Sequence, residues 1–263
     1  MAAVTTARGR SLLARIAGGH RASLALGRDP EACDGFVVAL ADGAAEGLSV
    51  AVPTGAGPAG WRPALAAVRD AFEEGGAIPR IEYVDELHPT LAPAAHAAGW
   101  RTTTLARVMA LAPHELLAER SSRQRLVRLV QADDTVTLEA FVRGQHRAYG
   151  GDGVSGALDW LPILRLGLQQ NAIDAVALVR HGQVVAGASL VRGAGVGELA
   201  GVWTLPEVRR QGLARAACSA LLAHGFTAGD TLAWLSAAPG AVGLYRSLGF
   251  RAVGTQRNLE YRR

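Results

Sequence analysis

Residues 204–215 read Thr-Leu-Pro-Glu-Val-Arg-Arg-Gln-Gly-Leu-Ala-Arg, and they are the most informative part of the sequence about its fold. An apolar run that begins at Leu199 leads into it and is typical of a buried strand, and Pro206-Glu207 then turns the chain. From Gly212 to about His224, apolar residues recur at helical spacing. The stretch therefore predicts a strand, a turn and a helix.

The predicted helix begins with residues that leave its first turn uncovered. Gly212 has no side chain and Ala214 has a small one, so the first backbone N–H groups are accessible and have no partner within the helix. Arg209, Arg210 and Arg215 surround them. Unpaired amides, the positive end of the helix dipole and nearby arginines form an anion site. We predict that this site binds a diphosphate.

Two motifs carry a resemblance to a known family. Residues 209–214 have the pattern Arg-x-x-Gly-x-Ala after a strand and Pro-Glu, which resembles the acetyl-CoA-binding motif of the GCN5-related N-acetyltransferase (GNAT) family. Residues 241–250, Ala-Val-Gly-Leu-Tyr-Arg-Ser-Leu-Gly-Phe, resemble the later signature of that family, a short helix that closes with Gly-Phe. The resemblance implies an α/β (α+β) fold, with a mixed, mostly antiparallel central sheet flanked by helices.

The first half of the chain repeats part of the second. Residues 81–111 read as strand, short helix, Gly-aromatic and strand, which is the order of the GNAT C-terminal region. When Gly99-Trp100 is aligned with Gly249-Phe250, Ala95 lies opposite Tyr245. We therefore predict a degenerate GNAT-like domain that does not catalyse transfer. A second coenzyme A site is the functional alternative, and a lid or docking surface for the active half is the structural one.

The length of 263 residues and the hydrophobic content of 49% suit two domains of modest size. We predict two GNAT-like domains in tandem. The degenerate domain spans 1–115, a linker spans 116–130, and the catalytic domain spans 131–263. The catalytic domain is expected to end with two strands, at 251–255 and 258–262.

The charge and the rare residue types exclude several classes of protein. All 27 basic residues are arginine, and the net charge of +4 suits a ligand that carries phosphate. Only 5% of the residues are aromatic, and no basic cluster is interleaved with them, so we expect no nucleic acid. Neither Cys33, Cys218 nor the seven histidines have metal-ligand spacing, so we expect no metal and a reducing compartment. The sequence has no apolar run of membrane length, so we predict a cytoplasmic protein that binds no membrane. We expect a monomer or a homodimer.

The catalytic residues follow from the resemblance. Acyl transfer from a thioester to an amine needs a base for the amine and a proton for the departing thiolate. Glu198 precedes Arg209 by eleven positions, the spacing at which GNAT members carry their base on the central strand. Tyr245 matches the position whose phenol protonates the thiolate. As alternatives, a water chain serves as the base while Glu198 orients the amine, and Tyr245 serves only in the core or in binding.

Acetyl-CoA is the expected acyl donor. The resemblance implies that amides near Trp203 and Thr204 bind the pantetheine arm like an added strand and polarise the thioester carbonyl. The predicted cofactor-binding residues are Trp203, Thr204, Arg209, Arg210, Gln211, Gly212, Leu213, Ala214 and Arg215. The first helical pair of the fold forms much of the acceptor pocket, which places near the substrate His146, Tyr149, Asp152, Asp159 and Trp160.

The predicted function is therefore N-acetylation. The protein is expected to move an acetyl group from acetyl-CoA to a primary amine of a small molecule or peptide, by direct transfer. Two alternatives stay open. One is an acyltransferase that uses a longer acyl-CoA or an acyl carrier, because nothing in the motif measures the acyl chain. The other is a coenzyme A-binding sensor or interaction protein without turnover.

Overall fold

The computed structural model describes residues 6–41, 48–56 and 60–262. Within these ranges the helices are α1 (Ala7–Ser23), α2 (Trp61–Glu74), α3 (Leu91–Ala97), α4 (Thr135–Ala148), α5 (Leu161–Gln169), α6 (Leu213–Thr227) and α7 (Val242–Arg246). The strands are β1 (Glu31–Cys33), β2 (Phe36–Ala39), β3 (Val50–Pro53), β4 (Arg80–Val84), β5 (Arg101–Leu111), β6 (Val127–Leu129), β7 (Ile173–Arg180), β8 (Gln183–Gly193), β9 (Val196–Thr204), β10 (Leu232–Ala237) and β11 (Arg251–Glu260). None of the described helices combines the length and the apolar character needed to cross a bilayer.

The chain divides into two compact units. The first unit comprises Met1–Val108, Ser236–Pro239 and Ala252–Arg263, and the second comprises Met109–Leu235 and Gly240–Arg251. The sequence assigns residues 252–263 to the second domain. In the structure they belong to the first unit, because β11 pairs with β4 along its second half. This pairing keeps β11 extended as one strand where two short strands were expected.

The first unit contains a mixed, mostly antiparallel sheet in the order β1-β2-β3-β4-β11-β5. Strands β3 and β4 are parallel, and the crossover between them is helix α2. The core beneath the sheet is built from large apolar side chains of strands and helices, including Phe36, Phe72, Ile81, Trp100 and Leu259. Leu259 lies on β11, so the last strand contributes to this core as well as to the sheet.

The second unit contains strands in the order β10-β9-β8-β7-β6. β9 and β10 are parallel and joined by α6, whereas β6 to β9 are antiparallel neighbours. β6 lies within residues 116–130, where the sequence predicts a linker, and it pairs with β7 from Val127–Leu178 to Leu129–Val176. Each unit therefore has the mixed, mostly antiparallel sheet that the sequence predicts, and the predicted fold class is confirmed.

Helices α4 and α6 cover opposite faces of the second sheet. A Cβ atom on Gly187 of β8 would lie 2.4 Å from Phe141 of α4, so Gly187 faces α4. A Cβ atom on Gly197 of β9 would lie 2.8 Å from Leu190, whose other methyl group reaches Gly225 of α6. Gly197 therefore faces α6. Because side chains alternate along a strand, the orientation of Gly197 fixes which helix its neighbours on β9 face.

Candidate functional site

A bulge in β9 organises the site. Gly187 of β8 is opposite Trp203 and Ser189 is opposite Ala200, so one residue of β8 faces the two residues Gly201 and Val202. Gly201 has φ of +55°, the left-handed conformation that glycine adopts without strain. An extra residue of this kind bends the strand and re-aims its peptide groups.

The bulge lies beside an open edge of β9. Pairing of β9 with β10 runs from Val196–Leu232 to Glu198–Trp234, before the bulge. The Leu205 amide donates to the Val185 carbonyl of β8 at 3.0 Å. Peptide groups alternate in direction along a strand. The backbone N–H and C=O groups of Trp203 therefore also point toward β8, and those of Val202 and Thr204 point away from it.

Two side-chain hydrogen bonds agree with this alternation. The Tyr149 hydroxyl donates to the Val202 carbonyl at 3.1 Å, and the Arg209 guanidinium donates to the Thr204 carbonyl at 3.2 Å. Both carbonyls are thus on the edge that turns away from β8. The N–H groups of Val202 and Thr204 lie on that same edge, which is the geometry that an added strand requires.

The open edge lines a cavity of 660 Å³. The lining residues come from the end of α4, the end of β9, the start of α6 and the start of α7. Eight of the predicted site residues are among them: Trp203, Thr204, Arg209, Arg210, Gly212, Leu213, Ala214 and Arg215. The others are Ala148, Tyr149, Val202, Gly240, Ala241 and Leu244. Gln211, Glu198 and Tyr245 are not part of this lining.

The start of α6 forms one wall of the cavity. Gly212 is the N-cap residue, with φ of +77°, and no side chain in the described part of the chain caps the first turn. The preceding Arg210 also has a positive φ of +60°. A Cβ atom on Gly212 would lie 3.5 Å from the Arg123 guanidinium carbon, so a third arginine stands beside Arg209 and Arg210 at the mouth of the helix. Unpaired amides with three nearby cations suit a diphosphate.

The Arg215 guanidinium is already paired with a carboxylate of the protein. It forms an ion pair with Glu119, and it donates to the carbonyls of Leu117 and Ser247, each at 3.2 Å. Glu119 keeps this role at neutral pH, because hydrogen bonds from Ser121 and Arg215 lower the pKa of its carboxyl group. Arg215 thus anchors the segment before β6 to α6 and α7.

Gln211 also has a protein partner. Its side-chain oxygen accepts a hydrogen bond from Arg180 of β7 at 2.8 Å. Arg209 connects two parts of the cavity lining, because its guanidinium donates to the Ala148 carbonyl at 2.7 Å as well as to the Thr204 carbonyl. The phosphate-binding roles of these residues stay predictions.

Glu198 lies on β9, three positions before the bulge glycine. Its neighbour Gly197 faces α6, so alternation places the Glu198 side chain on the opposite face, toward α4. The side chain is half-buried, and its strand neighbours are Val191 and Trp234. Alternation along the strand does not by itself tell which face Glu198 takes, and the structure assigns it to the face that α4 covers.

Tyr245 lies on α7, next to the cavity-lining Leu244. It is buried, with 8% of its surface exposed, and its ring packs edge-on against Phe250 at 6.0 Å. Burial, together with Cys218 and Tyr149 nearby, raises the pKa of its phenol well above the usual value. The Tyr245 phenol therefore keeps its proton at neutral pH and is available as a donor. Tyr149 is 63% exposed, and its hydroxyl already serves as a donor to the Val202 carbonyl.

The other residues expected near the acceptor lie outside the cavity lining. The His146 ring accepts a hydrogen bond from the Gly153 amide through Nδ1 at 3.0 Å. Asp152 accepts from the Val154 and Ser155 amides, and these bonds lower the pKa of its carboxyl group. Of the five residues expected there, Tyr149 is the one that lines the cavity. Across the ranges that the structure describes, no cluster of His, Cys, Asp or Glu side chains could hold a metal ion.

The Gly-aromatic motif has the same geometry in both units. The Trp100 amide donates to the Ala95 carbonyl at 3.0 Å, and the Phe250 amide donates to the Tyr245 carbonyl at 3.1 Å. The intervening glycines have φ of +89° and +104°. The alignment of Ala95 with Tyr245 thus has a structural basis. The first unit carries alanine where the second carries the phenol.

Comparison with known proteins gives the same family. The sequence profile of the acetyltransferase (GNAT) family matches residues 154–250. None of the curated protein sequences that were compared matches the chain.

Solved structures resemble most of the chain. A GCN5-related N-acetyltransferase from Kribbella flavida is 28% identical with a TM-score of 0.79, over 95% of each chain. A GCN5-related N-acetyltransferase-like protein from Streptococcus suis is 16% identical with a TM-score of 0.57, over 97% of this chain and 99% of that one. A tandem GNAT protein from the clavulanic acid biosynthesis pathway is 16% identical with a TM-score of 0.57, over 86% of this chain and 77% of that one. The bulged strand, the uncapped helix after it and these matches identify residues 154–250 as a GNAT domain, and the chain resembles GNAT proteins over most of its length.

Proposed function

We propose that the protein is an N-acetyltransferase that moves an acetyl group from acetyl-CoA directly to a primary amine of a small molecule or peptide. One observation carries the proposal: the mouth of α6 and the open edge of β9 line the same cavity. A donor with a diphosphate at one end and an amide-containing arm at the other matches both walls. The match of residues 154–250 to the GNAT family supports acyl transfer in general, and the donor and acceptor are our proposal.

The residues present suit coenzyme A. Arg209, Arg210 and the amides of the first turn of α6 would hold the diphosphate, and the Thr204 N–H group would pair with the arm, which leaves the Val202 N–H for the thioester carbonyl. The Thr204 hydroxyl is buried and lacks a hydrogen-bond partner among the described residues, so it is another group for the arm to satisfy. Acetyl-CoA would supply the activated acetyl group as a thioester.

The chemistry then requires three groups of this chain. Glu198 would take a proton from the acceptor nitrogen, directly or through water, as the C–N bond forms. The Val202 amide would stabilise the charge that develops on the carbonyl oxygen. Tyr245 would donate its proton to the sulfur as the C–S bond breaks, and its raised pKa keeps that proton in place until then.

The first unit is proposed to support the second without catalysing transfer. Ala95 occupies the position that corresponds to Tyr245, so this copy of the motif offers no proton donor. We also propose that the protein acts in the cytoplasm as a monomer or homodimer.

The proposed function is tested by thiol release from acetyl-CoA in the presence of a panel of amines. Glu198→Gln should lower kcat by about 100-fold, whereas Arg209→Ala and Gly212→Glu should mainly raise the KM for acetyl-CoA. A rise in melting temperature with coenzyme A, without turnover of any amine, would favour a sensor and contradict the proposal. Faster thiol release from a longer acyl-CoA would correct the donor.

A further inference from the structure

Gln145 lies one helical turn before the end of α4 that lines the cavity. Ala148 and Tyr149 line the cavity, and residues three and four apart on a helix share a face. A Cβ atom on Gly201 would lie 3.0 Å from the Gln145 side-chain nitrogen and 3.9 Å from its oxygen. The Gln145 amide therefore covers the bulge of β9, on the face that α4 occupies.

The side-chain oxygen of Gln145 lacks a partner. It is buried, and it accepts no hydrogen bond from any residue that the structure describes. A buried acceptor without a donor destabilises a protein, so such oxygens are normally satisfied by a ligand or an ordered water. The position of this oxygen, beside the bulge, makes a ligand of the site its natural donor.

Glu198 shares this face of the sheet. It precedes the bulge glycine by three residues, a distance of roughly 10 Å along the strand. The Glu198 side chain points from β9 toward α4, and the Gln145 side chain points from α4 toward β9. The proposed base and the unpartnered oxygen thus flank the segment of β9 that leads to the Val202 amide. The acceptor nitrogen has to reach this segment for the proposed transfer.

We propose that the Gln145 side-chain oxygen accepts a hydrogen bond from the acceptor nitrogen and thereby selects primary amines. This inference rests on the proposed function. A neutral primary amine has two N–H groups and one lone pair. One N–H bonds to Gln145, the other gives its proton to Glu198, and the lone pair attacks the thioester carbon. A secondary amine has one N–H and an alcohol has one O–H, so neither satisfies both residues.

In this proposal Gln145 contacts the acceptor nitrogen, so a change at Gln145 should alter the preference for primary over N-methyl amines. Gln145→Leu keeps the size of the side chain and removes the acceptor oxygen, whereas Gln145→Glu keeps an acceptor oxygen. Gln131→Leu is the matched control, because Gln131 is exposed and outside the site. The assay uses the primary amine of the panel with the fastest thiol release, its N-methyl derivative and the corresponding alcohol.

We expect Gln145→Leu to lower kcat/KM for the primary amine by about 10- to 100-fold, and to bring the ratio of primary to N-methyl amine close to one. Gln145→Glu should retain most of that preference. Calorimetry should find the Kd of coenzyme A unchanged within about twofold in each variant, because Gln145 does not touch the donor cavity.

The outcomes separate this inference from the proposed function. If none of the amines in the panel leads the unmodified protein to release thiol from acetyl-CoA, the proposed function fails and this inference fails with it. If it turns over the primary amine but Gln145→Leu shows the same kcat/KM and the same preference as Gln131→Leu, the inference alone is overturned. A loss of coenzyme A affinity in Gln145→Leu overturns it too, because the defect would then lie in the fold or the donor site.

Discussion

Replacement of Gly212 by alanine tests the mouth of α6. Gly212 has φ of +77°, and a left-handed conformation costs a residue with a Cβ atom about 1–2 kcal/mol. The added methyl group would lie 3.5 Å from the nearest heavy atom, so no clash adds to this cost. The melting temperature should therefore fall by about 2–8 °C. The methyl group also stands in front of the first-turn amides. Loss of one charge-assisted hydrogen bond there should raise the KM for acetyl-CoA by about tenfold or more.

The matched control is Gly182→Ala in the turn between β7 and β8. Gly182 has φ of +75°, and a Cβ atom there would have no heavy atom within 4 Å, so the backbone strain is the same. Both variants should lose similar stability in thermal unfolding. In steady-state kinetics, the KM for acetyl-CoA should rise in Gly212→Ala alone. An equal KM in the two variants would refute the assignment of the α6 mouth to the diphosphate.

Three further predictions concern stability. In Gly144→Ala the new Cβ atom would lie 2.4 Å from the Trp203 ring, so urea unfolding should show a loss of about 1–3 kcal/mol; an unchanged midpoint would show that the ring has room to move. Glu119→Gln leaves Arg215 without its counter-charge and should cost about 1–3 kcal/mol in the same assay, whereas no loss would assign the pair a minor role. Burial lowers the pKa of His20 to about 4, below its usual 6.5, so the unfolded chain binds the extra proton. The melting temperature should then fall between pH 6.5 and pH 4, and less steeply in His20→Asn; identical pH profiles would contradict this.

Local sequence signals predicted the parts of the site that short stretches of chain determine. The strand, the turn and the helix around Gly212 follow from hydrophobic spacing, and that glycine is required because the cap has a positive φ. The Gly-aromatic turn after Tyr245 was found for the same reason. Its hydrogen bond spans only five residues.

The remaining features depend on pairs of residues that are distant in sequence. The bulge arises from the register between β8 and β9, and Gly201 by itself predicts no particular register. Tyr149 lines the cavity and Gln145 reaches the bulge because α4 packs with one face on β9, which the helix pattern alone does not fix. The position of β11 beside β4 has no local signal at all, since strand pairing is decided by the assembled sheet.

The pairing of β4 with β11 also has a consequence for synthesis on the ribosome. Val84 pairs with Gln256, so β4 emerges about 170 residues before its neighbour, a delay of roughly 10–30 s at ordinary translation rates. During that interval one edge of β4 presents unpaired peptide groups, the kind of edge that captures strands of other chains. The nascent first half is therefore exposed to aggregation until β11 has been translated.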